Sequence, residues 1–353
     1  MTHDNYFNDA IELLKVLIAT PSISGKEEKA ADAIIRTVVK YGYPYKCEGN
    51  NVWVTDPHYD EQKPTLLLNA HLDTVKPVES WTRPPFSPQV EDGKLYGLGS
   101  NDCGGGLVSL LQTFRMLTAK EQKYNIIYLA SAEEEISGKN GIEKVLPLLP
   151  KIDVAIVGEP TSMRPAIAEK GLMVLDLIST GDAGHVGHSK GRNAIYEMLD
   201  DLIWIRDYKF KKNSELLGDT KMNVTVIHAG TQHNVVPDRC TALVDVRINE
   251  MYTNKEVFDI IEKNVKCELK AHSFRLNPSC IDSKHPLVKR AIQMHLKPYG
   301  SPTLSDQALM PFPSMKLGPG DSLRSHSADE YIEMDEIEKA IDIYFTLLNG
   351  AEI

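Results

Sequence analysis

Cysteine is scarce. Of 353 residues only five are cysteine, Cys47, Cys103, Cys240, Cys267 and Cys280, and no Cys-x-x-Cys pair occurs. An odd, scattered set argues against a disulfide framework or a thiolate zinc site and fits a reducing cytoplasm. Positive charge is in deficit as well. Lys and Arg number 39 against 49 Asp and Glu, a formal net charge of −10. With no basic cluster, neither nucleic acid nor an anionic membrane is expected as a main partner. Long apolar runs are missing: none approaches the roughly 20 residues that span a bilayer. The start, Met1-Thr2-His3-Asp4-Asn5, has no basic stretch leading into a signal-type apolar core. Internal repeats and low-complexity tracts are absent.

What is present reads as a soluble globular chain of about two domains. Phe7, Ile11, Leu14 and Ile18 fall at helical spacing before Pro21, and a second helix is expected over Glu27–Tyr41, stopped by Gly42. Val52–Val54, Thr65–Asn69 and the runs near Ile126 and Val154 read as strands, with a helix over Gly104–Leu117. This alternation predicts an α/β domain with a mainly parallel sheet sandwiched by helices. After Glu169 the pattern changes. A strand over Leu172–Ser179, a helix over Arg192–Ile205, strands over Asn223–His228 and Thr241–Ile248, a helix over Lys255–Asn264 and a strand over Cys267–Leu276 give the order β-α-β-β-α-β of a ferredoxin-like α+β domain. Helical patterns over Leu287–Leu296 and Glu336–Leu348 then close the chain. We therefore expect a catalytic domain built from residues 1–169 and 282–353, with residues 170–281 inserted as a lid domain, to which the resemblance named below adds a dimerisation role.

Three apolar runs end in potential metal ligands. Leu66–Ala70 leads into His71 and Asp73, Ile126–Ala130 into Glu133-Glu134-Glu135, and Val154–Gly158 into Glu159. Open α/β sheets place their active sites at the carboxyl ends of their strands. Stacked negative charge at the end of a buried strand needs a counter-charge, and a divalent metal is the simplest one. Each residue also has a plainer reading. His71 and Asp73, two apart on an extended segment, form either a ligand with its orienting carboxylate or an ordinary strand-end ion pair. Asp102, in Gly97-Leu98-Gly99-Ser100-Asn101-Asp102-Cys103-Gly104-Gly105-Gly106, is either a helix N-cap or a carboxylate bridging two metals. Cys103 is read as a small packing residue. The acidic triplet is either a solvated charge run at a helix start or a ligand beside a general base. His326 alone reads as a surface residue. Taken together, two histidines, two glutamates and a bridging aspartate suit a pair of Zn²⁺ ions, with Co²⁺ or Mn²⁺ as substitutes.

The chain resembles the dinuclear zinc amidohydrolase and exopeptidase family that includes acetylornithine deacetylase, succinyl-diaminopimelate desuccinylase, aminoacylase and glutamate carboxypeptidase. The likeness rests on Ala70–Val75, Trp81–Ser87, Leu95 to Asp102, Ala132–Glu135 with Gly141, Val157–Thr161 and His326, in that order. It implies His71 and Glu159 on one zinc, Glu135 and His326 on the other, Asp102 bridging, Glu134 as general base and Asp73 orienting His71. The family usually carries a Lys where Gly104 stands here. Gly184-His185-Val186-Gly187-His188-Ser189 resembles the lid motif whose histidine, His185 by position, stabilises the oxyanion in the partner subunit's site. Asn234 and Arg247 match lid positions that hold substrate. Arg247 either grips a carboxylate or makes a structural ion pair. The glycines of Gly318-Pro319-Gly320 would offer backbone N–H groups to a substrate carboxylate. The implied activity is hydrolysis of an N-acyl amino acid by a cytoplasmic homodimer, with N-acetylornithine or an N-succinylornithine or N-acylcitrulline analogue as substrate. A dipeptidase or carboxypeptidase, a desuccinylase of lysine biosynthesis, and a metal-depleted binding protein of the same fold stand as alternatives.

Overall fold

Four strands, Asn125–Ser131, Thr65–His71, Val154–Val157 and Ser314–Lys316, lie side by side in that order and all run parallel. Their sequences are mainly apolar, as expected of strands covered on both faces. Asn51–Thr55 and Tyr45–Glu48 extend the sheet beyond Asn125–Ser131 in antiparallel pairing. In this computed structural model, residues 3–188 and 191–353 are described. Ser189, the last residue of the lid-like motif, lies outside the described residues, as do Met1 and Thr2.

The pleat divides each strand between two cores. Leu66, Leu68 and Ala70 face a large core completed by the helices His3–Ile18, Glu28–Lys40, Gly105–Thr118 and Met334–Leu348. Leu67, Leu129, Ala155 and Val157 face a smaller one with Trp53, Ile142 and Val145. Register then places the strand ends together. His71 pairs with Ser131, Asn69 with Val157, and Lys316 with Val157. The loops after Ser131, Val157 and Lys316 therefore leave the sheet at one edge, beside His71.

Two glycine positions set how closely the elements approach. A Cβ on Gly106 would land on the Gly158 carbonyl, so the helix Gly105–Thr118 packs backbone to backbone against the segment leading to Glu159. A Cβ on Gly104 would land on the Gly99 carbonyl oxygen and meet Leu14 Cδ1, so nothing larger than glycine fits there. The predicted helix start is corrected here. Ser100–Gly104 is a separate kinked turn, with Asp102 and Cys103 outside helical φ/ψ and a cis peptide between them.

The chain divides into two compact units. One comprises Met1–Ile167, Cys280–Tyr299 and Ser305–Ile353, the other Ala168–Ser279 with Gly300–Leu304. The second contains four antiparallel strands in the order Lys221–Ala229, Arg239–Ile248, Gly171–Thr180 and Glu268–Ala271. Read from the last strand this is 4-1-3-2 with helices Ala194–Asp207 and Asn254–Glu262 as crossovers, the ferredoxin-like arrangement. The alternating burial of Arg239–Ile248 and Gly171–Thr180 puts Met173, Leu175, Leu177, Ala242, Val244 and Val246 into a core of their own. The last strand is shorter than the sequence suggested. Beyond His272 the chain turns on itself, the Arg275 N–H donating to Ser273 Oγ and that of Asn277 to the Arg275 carbonyl.

Candidate metal centre

His71 is the last residue of its strand and is fully buried. Its Nδ1 lies 2.9 Å from the Asp73 carbonyl oxygen. Its Nε2 points at carboxylates: Asp102 Oδ1 at 3.2 Å, Glu159 Oε1 at 3.7 Å and Glu134 Oε2 at 4.0 Å. On the far side of Asp102, Oδ2 lies 3.6 Å from His326 Nε2, which is itself 2.9 Å from Glu135 Oε2. Asp102 thus has one oxygen toward each histidine. His71, Asp102 and Glu135 have donor atoms within 4.8 Å of one another, as do His71, Cys103 and Glu159. The five residues expected as ligands converge on one edge of the sheet.

Asp73 departs from expectation. Its backbone carbonyl, rather than its carboxylate, is the close partner of the His71 ring, the carboxylate being 3.6 Å away. The carboxylate instead accepts from Ser24 Oγ at 2.7 Å and from the Glu134 and Glu135 N–H groups at 3.0 and 3.2 Å. It fixes the turn that presents those two side chains. The acidic triplet therefore divides its work. Glu133, at φ +55°, turns away and accepts from the Asn140 N–H and side-chain amide. Glu134 and Glu135 face the histidines.

Electrostatically the cluster's four carboxylates, Asp102, Glu134, Glu135 and Glu159, outnumber its two imidazoles. Burial pushes Glu134 well above the usual carboxylate range and Glu159 up to about 8. The bond to Glu135 raises His326 to about 9. Burial is the largest influence on Asp102 and works to raise it, but the hydrogen bonds and charges of His71, Ser325 and His326 together outweigh it and lower its pKa. Glu159 Oε1 is buried without a hydrogen-bond partner. An orphaned buried carboxylate oxygen within reach of an imidazole and a second carboxylate is what a resident cation would satisfy. The donors are imidazole nitrogens and carboxylate oxygens, which fit zinc and its cobalt and manganese substitutes. Cys103 Sγ accepts from the His71 N–H at 3.2 Å and donates to its carbonyl at 3.4 Å. Burial holds it as a thiol, consistent with the packing role.

Two acidic residues that sequence reasoning missed stand behind the cluster. Glu330, 1% exposed, accepts from the backbone N–H groups of Gly99, Asn101 and Asp102. Burial lifts it to about 8. Asp306 accepts from Ser131 Oγ at 2.6 Å, and burial lifts it to about 6. Neither follows an apolar run or belongs to a short motif. Only Asp306 had a signal, as an acid in a late loop otherwise short of charge.

A sequence model described as "Peptidase family M20/M25/M40" matches residues 67–350. The chain belongs to that family. Succinyl-diaminopimelate desuccinylase of Wolbachia pipientis subsp. Culex pipiens is 30% identical to this M20 chain, over 72% of the chain and 68% of the relative. Acetylornithine deacetylase of Shigella sonnei is 28% identical over 96% and 97%. The solved structure of an M20 family metallo-carboxypeptidase from Sulfolobus solfataricus matches 96% of the chain and 98% of its own with a TM-score of 0.72 at 21% identity, a likeness of fold. The M20 chain is a metal-dependent hydrolase with two adjoining groups of metal-type ligands.

The insert-borne candidates of this M20 chain do not form one group. His185 and Asn234 are neighbours: Gly184–His185 pairs with Val235–Val236, and the Val186 N–H donates to the Asn234 carbonyl at 3.1 Å. The ring of His185 accepts from the Gly187 N–H at Nδ1, leaving Nε2 to carry the proton. Arg247 stands at the other end of the strand Arg239–Ile248, eight residues from Arg239, or roughly 27 Å at strand rise. It pairs with Asp245 through Nε at 2.8 Å and Nη2 at 3.0 Å, the structural ion pair of its two readings. In the late loop the Gly318 N–H already donates to Thr161 Oγ1 at 3.1 Å. The Gly320 N–H donates to no acceptor among the described residues, so only one of the two glycines keeps a free donor.

Proposed function

We propose that this protein hydrolyses the amide bond of an N-acyl amino acid, N-acetylornithine or a close N-acyl analogue, as a step of arginine biosynthesis in the cytoplasm. The observation that carries this reading is Asp102, one oxygen toward His71 and the other toward His326, with Glu134 alongside. His71 and Glu159 would hold one Zn²⁺, Glu135 and His326 the other, and Asp102 both. When bound, such a pair supplies Lewis acidity at the acyl oxygen and makes water acidic enough to ionise near neutral pH. Glu134 then takes the proton as the water oxygen bonds to the acyl carbon. Its burial suits it to hold that proton until the C–N bond breaks and the amine nitrogen accepts it. Asp73 keeps Glu134 in place through its backbone N–H. His185, from a second copy of the chain, donates its Nε2–H to the oxyanion, and the free Gly320 N–H receives the substrate carboxylate.

Two observations support acetyl over succinyl. The likeness to acetylornithine deacetylase runs the full length, and a succinyl carboxylate would need a free cation. Arg83 is engaged by Glu91 and Gln89, and Arg324 by Glu336 at 2.7 and 3.2 Å. The free state of all five cysteines supports the reducing compartment. A homodimer through the inserted unit is supported by the edge strand Lys221–Ala229 beside Ile195, Tyr196, Leu199 and Ile203, all exposed on the helix Ala194–Asp207.

The test is a screen of metal-replete protein against acetyl-, succinyl- and formyl-ornithine, citrulline and lysine, with dipeptides alongside. Turnover of an acyl-ornithine is expected. Cleavage of dipeptides alone would replace this reading with a peptidase. No turnover together with no metal after repletion would replace it with a binding protein.

A further inference from the structure

Glu330 is buried with no role in proton transfer, yet its carboxylate is aimed at the loop that carries Asp102. Oε1 accepts from the N–H groups of Asn101 at 2.8 Å and Asp102 at 2.9 Å, and Oε2 from Gly99 at 3.1 Å. The Glu330 carbonyl accepts a fourth bond from the Gly97 N–H at 2.9 Å. Directly after it, Tyr331–Glu333 pairs antiparallel with Lys94–Tyr96, the strand that leads into this loop. The loop itself gains no order from helix geometry, since Asp102 sits at φ −116° and ψ 101°. Its buried donors would be left unpaired without side-chain oxygens to accept them.

We infer that Glu330 is a positioning residue for Asp102, holding the backbone so that one carboxylate oxygen faces His71 and the other His326. The inference rests on the two-cation reading of the centre. What matters is that both oxygens of the carboxyl group can accept. An amide keeps one acceptor oxygen and turns an NH₂ toward a backbone N–H, so at least one of the three bonds fails. The Asp102 backbone is then free to rotate its carboxylate out of the bridging posture, although no ligand has been altered.

The test compares the full chain with Glu330→Gln, loaded with Mn²⁺ and followed by EPR and by titration calorimetry. Asp201→Asn is the control, since Asp201 is an equally buried carboxylate that clamps backbone N–H groups, of Lys266 and Cys267, in the inserted unit. Wild type is expected to bind two ions and give an exchange-coupled spectrum. E330Q is expected to lose the coupling and to bind the second ion roughly 10- to 100-fold more weakly, with kcat falling more than KM rises. D201N should lower Tm and leave coupling and affinities alone. Coupled ions at wild-type affinity in E330Q overturn the inference. An uncoupled wild type overturns the two-cation reading beneath it, which is a separate failure. Should E330Q not fold, Glu330→Asp, one methylene short of the three donors, is read by the same spectrum.

Discussion

The two units hold their candidate residues in opposite ways. In the sheet-based unit the side chains arrive from five separate stretches of chain, are mostly buried, and several are held by a second bond, as Asp73 holds Glu134 and Glu330 holds Asp102. In the inserted unit His185 is exposed, and Arg247 lies at the far end of a strand from it with a partner of its own. The first region is organised before any ligand arrives; the second offers donors that wait for something to meet. Preorganised groups suit cation binding and proton transfer, whereas exposed donors act only once they are brought to what they bind.

The sharpest way to break this contrast is His71→Ala, expected to abolish tight binding of one cation and reduce turnover to background, read by metal analysis after dialysis. Retained metal would show that the buried cluster is not the centre. Next is Glu134→Gln. It should keep both metals and most substrate binding while kcat falls roughly 10²- to 10⁴-fold, measured on the best substrate of the screen. Near-normal turnover would remove Glu134 from proton transfer. His185→Ala should lower kcat by roughly 10²-fold, the scale of one oxyanion donor, with metal content intact. Mixing E134Q and H185A chains should restore part of the activity if the histidine serves a second copy, and no recovery would place it elsewhere.

A smaller effect concerns pH. In the metal-free protein Glu159 and Glu330 titrate near 8, both raised by burial, against about 4.3 for an unfolded glutamate. A raised carboxylate favours the fold only while protonated. Its contribution is complete below the unfolded value and is lost as pH climbs through the folded one. The Tm of the metal-free form should therefore decline between about pH 4.5 and 8, and a divalent cation should flatten or reverse that slope because it takes the place of the protons. A flat metal-free profile would mean that the anions do not burden the fold. Smallest is Arg247→Ala, expected to cost at most about 1 kcal/mol, since its ion pair with Asp245 is partly exposed. A large rise in KM would instead bring Arg247 into substrate binding.

How much of this was legible follows from where each residue sits. His71, Glu134, Glu135 and Glu159 could be read because burial on both faces makes a parallel strand a plain apolar run, and register brings the ends of such runs together. Asp102 was legible from its glycines, which mark close backbone approach. The division of the triplet was not, because it depends on the left-handed turn at Glu133 and on Asp73 serving backbone N–H groups instead of the imidazole. Glu330 was invisible for the same reason: its partners are amides that every residue possesses. Arg247 could not be placed from the sequence because a position in a strand says nothing of which end faces a ligand. Gly104 becomes intelligible only with the Gly99 carbonyl and Leu14 filling the space a side chain would need.

The donors run from His71 to His326, with the whole of Ala168–Ser279 between Glu159 and the last of them. During synthesis, then, a ribosome must pass through the whole insert and reach His326 before the cation pocket can close. A chain arrested inside the insert holds His71, Asp102, Glu135 and Glu159 with nothing to complete them. A full donor set thus exists only once the insert has been made, and cations bound by a shorter nascent chain would be held by fewer hands and given up more easily.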